Sequence, residues 1–397
     1  MFHRNTGKQR KGGPDYYDYN LLAVIILLTG FGLVMLYSTS AYAAEVKFGN
    51  DMYYFAKQAV ISLIAIAVAI VLSRVDYHVL MKLGGWIFVF SLISMLLVRT
   101  RFGVSINGAR RWLKIGPLQF QPSEIAKIAI IVFVPLLIVK MGKNFKGFRA
   151  CVLPMGCGVL LALGAYVFTE NLSTAIIILM IAFIIVFVAH PRTAPFIIGM
   201  AAFAAAAIAG VWALVHYSVS GGFRIQRVLV WLDPEKYSAE GGYQIMQALY
   251  ALGSGGIFGK GLGNSTQKLG SLPEAQNDMI FSIVCEELGV FGGIVLIMLF
   301  VFLLYRLFFI ARNANDLYGS LMVTGIFAHI ALQVILNVCV VINLIPTTGI
   351  TLPFVSYGGT SVIFLMLEMS IALSVSRGIR FQKEERDLWG AVVDEGY

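Results

Sequence analysis

The sequence predicts an all-α polytopic membrane protein, with about ten transmembrane helices and a large outward loop between the seventh and the eighth. Three observations carry that fold class. Hydrophobic residues make up 58% of the 397 and charged residues only 13%, against about 25% charged in ordinary soluble domains. Runs of about 20 apolar residues recur along nearly the whole chain, and in lipid such runs satisfy their backbone groups as helices. Lysine and arginine gather in alternate connecting segments, as they do on the side of a membrane that retains positive charge. An ordinary soluble enzyme is thereby excluded. The formal charge of +9 suits contact with anionic membrane lipids, and no nucleic-acid partner is expected. Cys151, Cys157, Cys285 and Cys339 fall within expected spans without zinc spacing, so they read as small apolar residues and not as a disulfide framework.

Taken in order, residues 1–20 form a basic N-terminal tail carrying Arg4, Lys8, Arg10 and Lys11. The first span, 21–40, ends near Ala41-Tyr42-Ala43, which is similar to a signal-peptidase site; its apolar run is too long for a signal core, so an uncleaved anchor is expected. Further spans are expected at about 54–73, 79–98, 124–140, 151–169, 173–189, 194–216, 279–304, 318–343 and 361–376. The transmembrane domain is thus 21–378, its outward loop 217–278, and 379–397 a C-terminal tail. With both termini cytoplasmic, the inner segments receive Lys140, Lys143, Lys146, Arg149, Arg192, Arg306, Arg312, Arg377, Arg380, Lys383 and Arg386. Any chemistry must then come from the spans and the outward loops.

Two outward stretches break the charge rule. Residues 99–114 carry Arg99, Arg101, Arg110, Arg111 and Lys114, and the loop 217–278 carries Arg224 and Arg227. Either they bind an anionic group, most simply a phosphate gripped by forked arginine donors, or they meet anionic lipid. Glu124 and Lys127, in QPSEIAK at the mouth of the fourth span, lie three apart on one helix face and can pair beside a wet cavity or as a structural pin. In the same motif Pro122 suits a first turn and Ser123 can cap it.

Tyr243–Leu252 has the spacing of a short interfacial helix. The glycine-rich stretch after it lacks the context of a nucleotide loop, so its glycines are read as tight turns and close backbone approach. Gln333 and Asn337 share a face of the ninth span, and the following INLIPTTGITLPFVSYGGTS reads as a broken, re-entrant segment. Ser356 and Tyr357 would line its cavity, Ser356 against a substrate, unless the segment is a plain connection with Thr360 or Ser361 capping the last span. In PEAQNDMIFSIVCEELG (273–289), Asp278 stands where a polar loop enters the bilayer. There it either meets a polar head group or, with Asn277, caps the next helix.

The stretches NGARRWL (107–113), QPSEIAK (121–127), GGYQIMQALYALGSGGIFGKGLGNSTQKLG (241–270), PEAQNDMIFSIVCEELG and TGITLPFVSYGGTS (348–361) resemble the SEDS family of FtsW/RodA/SpoVE type, in order from the first span to the last. The resemblance implies a ten-helix fold and a peptidoglycan glycosyltransferase that polymerises lipid II on the outer face of the bacterial cytoplasmic membrane, beside a class B penicillin-binding protein. It implies an essential carboxylate at Asp278, a functionally sensitive Trp112, and a part for Glu124 and Lys127. Asn277 before the aspartate leans towards the division and sporulation branches. The chain departs from the family at Glu170-Asn171-Leu172, where many relatives carry an aspartate; Asn171 cannot act as a base.

On this reading Asp278 takes the proton of an attacking sugar hydroxyl. Arg110, Arg111, Lys127, Arg224 and Arg227 support the departing pyrophosphate, and Trp112 offers a flat face to a sugar or prenyl group. A divalent cation on Asp278 stays open, since the sequence pairs no second ligand with it. Two rivals use the same residues: a flippase for lipid-linked precursors, which should show repeats and paired broken helices, and a non-catalytic scaffold for a transpeptidase, in which Asp278 would be dispensable.

Overall fold

The computed structural model describes residues 16–379 apart from 107–108, 117, 203–204, 206–208 and 210–222. Helices α1 (Tyr19–Phe48), α2 (Tyr53–Leu72) and α3 (Val79–Leu97) come first. Strands β1 (Gly103–Ile106), β2 (Ala109–Ile115) and β3 (Leu118–Phe120) follow, then α4 (Pro122–Met141), α5 (Val152–Thr169) and α6 (Leu172–Ala189). After the gap come two short helices, α7 (Phe223–Leu232) and α8 (Gly242–Ser254), then α9 (Ile280–Asn313), α10 (Leu317–Val341) and α11 (Ser361–Arg377). Among the described residues, eight helices are long and apolar enough to cross a membrane. Exposed Leu63, Trp86 and Phe291 face outward from the bundle, as lipid contact requires.

The helix ends follow from local chemistry. Asp18 caps α1 by accepting from the Leu21 N–H at 2.9 Å, and α1 ends on left-handed Gly49 (φ 66°). Pro122 opens α4 at its first position. Asn171 caps α6 by accepting from Thr174 N–H at 3.1 Å, and Asp316 caps α10 through Gly319 N–H at 2.7 Å. Helix α4 packs on α3, α5, α6, α10 and α11 and so sits at the centre.

Alternating helix direction divides the connections between two ends. One end holds the sheet, α7, α8 and the segments 49–52, 170–171, 255–279 and 342–360. The other holds 73–78, 142–151, 190–193 and 314–316, with exposed Lys140, Lys143, Lys146, Arg149, Arg192 and Arg312. Arg306 belongs to this second end but is no loop charge: it is buried in α9 and paired with Asp18 at 2.7 Å.

Several expectations need correcting. The basic stretch after α3 is no plain loop but part of a three-stranded antiparallel sheet, order β1-β2-β3, so the fold is not helical throughout. Its β-branched and aromatic residues, Val104, Ile106, Trp112, Ile115 and Phe120, satisfy a ladder that the intervening charges disguise. The outward loop holds two helices where one was expected, and α9 runs nine residues past the expected end, from 304 to 313, because Tyr305–Arg312 contains no breaker. Gln121, not Ser123, is the cap of α4, and Ser123 Oγ lies buried inside the helix without a partner among the described residues. Thr360 precedes α11 without making a side-chain cap. Residues 194–202 are largely helical, but most of the expected seventh span 194–216 lies outside the described residues, as do most of the N-terminal tail and the C-terminal tail with Arg380, Lys383 and Arg386.

Candidate active site

The segment leading into α9 is a chain of turns, and the residue that closes it, Met279, makes no side-chain cap. The capping role open to Asn277 and Asp278 is therefore not used: the Asn277 amide turns back to Glu274. Asp278 is half-buried as a residue, yet its Oδ1 is sealed from solvent and has no hydrogen-bond partner among the described residues. Desolvation pushes its pKa up to about 6, a bond from its own backbone N–H opposes this, the Glu274 charge adds to it and Arg227 opposes it. Gly349 (φ 66°) lies beside the carboxylate, with its open side 4.0 Å from Oδ2.

Of two neighbouring arginines from different elements, Arg227 acts on this carboxylate and Arg111 acts on Arg227. Arg111 is the extra residue of a β-bulge: Val104 faces Trp112 but Ser105 faces Arg110. It is half-buried, its Nε has no partner among the described residues, and one terminal nitrogen donates to the Glu170 carbonyl at 3.4 Å. Arg227, on α7, donates to the Thr347 carbonyl at 3.1 Å. Desolvation lowers the pKa of both; for Arg227 the Arg111 charge lowers it further while Asp278 raises it. The Arg111 charge thus disfavours that of Arg227, offset there by Asp278, while Glu170 offsets the desolvation of Arg111.

The segment 342–360 is irregular, and several elements grip it. Ser173 of α6 donates to the Thr348 carbonyl at 2.7 Å, Trp231 of α7 to the Asn343 carbonyl at 3.0 Å, and Asn337 of α10 to the Ile350 carbonyl at 2.8 Å. Thr348 Oγ1, Gln333 Oε1 and Asn337 Oδ1 are buried acceptors without partners among the described residues. Ser356 does not present its hydroxyl to open space: it donates to the Asn277 carbonyl at 2.6 Å and accepts from Leu352 N–H at 2.8 Å.

The other residues singled out from sequence divide. Glu124 and Lys127 pair at 2.9 Å in the first turns of α4, with the Lys127 side chain only 2% exposed. Arg110 is exposed and donates to the Gly103 carbonyl at 3.5 Å. Trp112 is half-buried opposite Val104. Arg224 lies on α7, with its side chain outside the described residues. Glu170 pairs with Arg99 at 3.1 Å. Among the described residues no three His, Cys, Asp or Glu side chains gather to hold a metal, so the residues around Asp278 do not by themselves fit a resident divalent cation.

Two features escaped sequence reasoning. Glu286 and Glu287, fully buried in α9, are met by lysines from the glycine-rich stretch: Lys260 to Glu286 and Lys268 to Glu287, each at 2.7 Å. The glycines serve this contact, as their expected close approach requires: a Cβ on Gly259 (φ 80°) would lie 2.2 Å from the Glu287 carbonyl oxygen, and one on Gly289 (φ 69°) 2.2 Å from that of Ile257. Two carboxylates inside an apolar span and two lysines in the preceding loop were the available signal. Glu368 of α11, unexplained by sequence, meets His329 of α10 at 2.7 Å, both buried.

A bundle of apolar helices long enough to cross a membrane, with a sheet and a desolvated carboxyl at one end, defines a multi-pass membrane protein. The sequence profile of the cell cycle protein family FtsW/RodA/SpoVE matches residues 18–380, and the chain belongs to that family. It is 36% identical over 373 residues to stage V sporulation protein E of Bacillus subtilis, covering 94% of this chain and 99% of that protein. It is 35% identical over 365 residues to the probable peptidoglycan glycosyltransferase FtsW of Trichlorobacter lovleyi, covering 92% and 94%. Among solved structures it is similar to a chain from a peptidoglycan synthase complex that coordinates polymerization and crosslinking, with TM-score 0.74, 27% identity, and coverage of 91% and 98%.

Proposed function

We propose that this protein polymerises lipid II into glycan strands on the outer face of the bacterial cytoplasmic membrane, in division or sporulation, beside a class B penicillin-binding protein. It is a peptidoglycan glycosyltransferase of the family just named. The observation that supports the finer reading is the desolvated Asp278 carboxyl, whose Oδ1 has no partner among the described residues, with the Arg227 charge acting on it and the Arg111 charge acting on Arg227.

The chemistry follows from those groups. The donor sugar is joined to an isoprenoid pyrophosphate through an α bond, and the product bond is β, so one inverting displacement suffices. The acceptor's 4-hydroxyl oxygen forms the new bond to the anomeric carbon as the carbon–oxygen bond to pyrophosphate breaks, and the bonding pair leaves with undecaprenyl pyrophosphate. Asp278 takes the hydroxyl proton during bond formation, because a free sugar hydroxyl is too weak an acid to ionise first. Arg111 and Arg227 receive the departing charge, in a desolvated setting where each donor counts for more than in water. Arg110 and Arg224 extend the basic surface towards arriving head groups, and Trp112 offers an apolar face to sugar or prenyl. The Glu124–Lys127 pair keeps a cation within α4, and Ser356 acts on the Asp278 segment. The basic end of the bundle, with Lys143 and Arg312, faces the cytoplasm together with both termini.

The test uses purified full-length protein with its transpeptidase partner and labelled lipid II, read as glycan polymer on a gel. Asp278→Asn should insert, bind its partner and polymerise at least about 100-fold more slowly, within the range that general-base catalysis supplies. Near-normal polymerisation by that variant would show that the carboxylate is dispensable and return the scaffold reading.

A further inference from the structure

The residues before α9 are held in an unusual way. Three successive carbonyls each accept from a donor distant in sequence. Tyr357 N–H donates to the Gln276 carbonyl at 2.9 Å, Ser356 Oγ to that of Asn277 at 2.6 Å, and Asn337 Nδ2 to that of Asp278 at 2.8 Å. The Asn337 amide also donates to the Ile350 carbonyl at 2.8 Å. Ser356 and Asn337 are 4% and 0% exposed, so neither bond competes with water. No side-chain cap steadies the start of α9, and Glu274 nearby adopts a left-handed backbone (φ 56°) that this sequence has no glycine to ease.

A carboxylate can be oriented by donors to its own oxygens, but such donors stabilise the anion and make it a poorer base. They would also occupy the atoms that must reach substrate. Holding the main chain on both sides of the residue avoids both penalties. We infer that Asn337 and Ser356 are positioning residues, which aim the Asp278 carboxylate by clamping its backbone without themselves donating to its oxygens. The inference rests on Asp278 being the base.

Its test compares Ser356→Ala, Ser356→Thr, Asn337→Asp and Asp278→Asn, as full-length protein with its partner, for kcat and for KM towards lipid II. Ser356→Ala and Asn337→Asp each lose a donor and should lower kcat by about 10- to 100-fold, the scale expected for a displacement of about 1 Å at a reacting group. KM should stay within about twofold, since neither side chain touches substrate. Ser356→Thr keeps the hydroxyl and should restore most of kcat. Should Ser356→Ala not be recovered folded, Ser356→Cys, which keeps the shape with a weaker donor, decides by the same ratio. Unchanged kcat in the Ser356 and Asn337 variants with Asp278→Asn inactive would overturn the clamp alone. A raised KM at constant kcat would also overturn it, by making these residues substrate contacts. Near-normal activity in Asp278→Asn would overturn the base and the clamp together.

Discussion

Moving the Asp278 carboxyl out of water raises its pKa to about 6, and two measurable consequences follow. The base must be ionised to accept a proton, so kcat/KM should fall below an acid limb near pH 6, whereas an ordinary aspartate would place that limb near 4. A limb near 4 in a pH–rate profile would contradict the desolvation. The stability consequence has the opposite sense. The folded-state pKa lies above the unfolded one, so the contribution is most favourable below about pH 4 and is lost as pH rises through about 6. At pH 7 the ionised carboxyl therefore costs about 2–3 kcal/mol. Asp278→Asn removes that cost and should raise the thermal midpoint at pH 7, with the gain shrinking as the pH falls towards 4. Had Asp278 been a helix cap, as its sequence position allowed, the substitution would be close to neutral. Its place before an apolar run was legible in the sequence; the absence of a cap was not, because the cap depends on how the turns at 271–279 close.

At the scale of elements, the bulge in β2 and the break in α9 do comparable work. At the bulge Arg111 is half-buried with its charge acting on Arg227, while Arg110 is exposed, which two adjacent arginines in a sequence do not reveal. Arg111→Ala should therefore slow polymerisation by at least about tenfold, and Arg110→Ala by about threefold or less, as measured on the same gel. The break at Gly289 admits the glycine-rich stretch to α9, where Lys260 and Lys268 neutralise two buried glutamates. Lys268→Met leaves Glu287 with a buried, poorly compensated charge and should cost about 3–5 kcal/mol. Adding Glu287→Met should recover most of it, since replacing both partners of a buried pair by apolar groups is often near neutral. Thermal unfolding of the single and double variants in detergent checks this. If the single variant is as stable as the parent, the pair carries no structural role.

For the whole molecule, the two ends of the bundle differ in kind. One gathers the sheet, the irregular segment 342–360 and Asp278; the other presents Lys140, Lys143, Lys146, Arg149, Arg192 and Arg312 to solvent. In a cysteine-free background, single cysteines at Trp112 and Ser271 should react with an impermeant thiol reagent applied from outside, and those at Lys143 and Arg312 only after the membrane is opened. Labelling of position 143 from outside would invert the topology and remove the site from its substrate.

The recurrence of spanning helices and their rough positions were legible from the chain alone, because an apolar run long enough to cross lipid has one way to satisfy its backbone. The positions of Asp278, of the Glu124–Lys127 pair and of the broken segment after α10 were legible for the same reason: charge, proline and glycine interrupt an otherwise uniform pattern. Only the tertiary structure decided which of these residues meet. Ser356 reaches Asn277 across 79 positions, Asn337 reaches Asp278 across 59, and Glu368 finds His329 across 39. Burial in an apolar bundle requires each polar group to find a partner, but the choice of partner is made by helix packing, and packing leaves no periodic trace in the sequence.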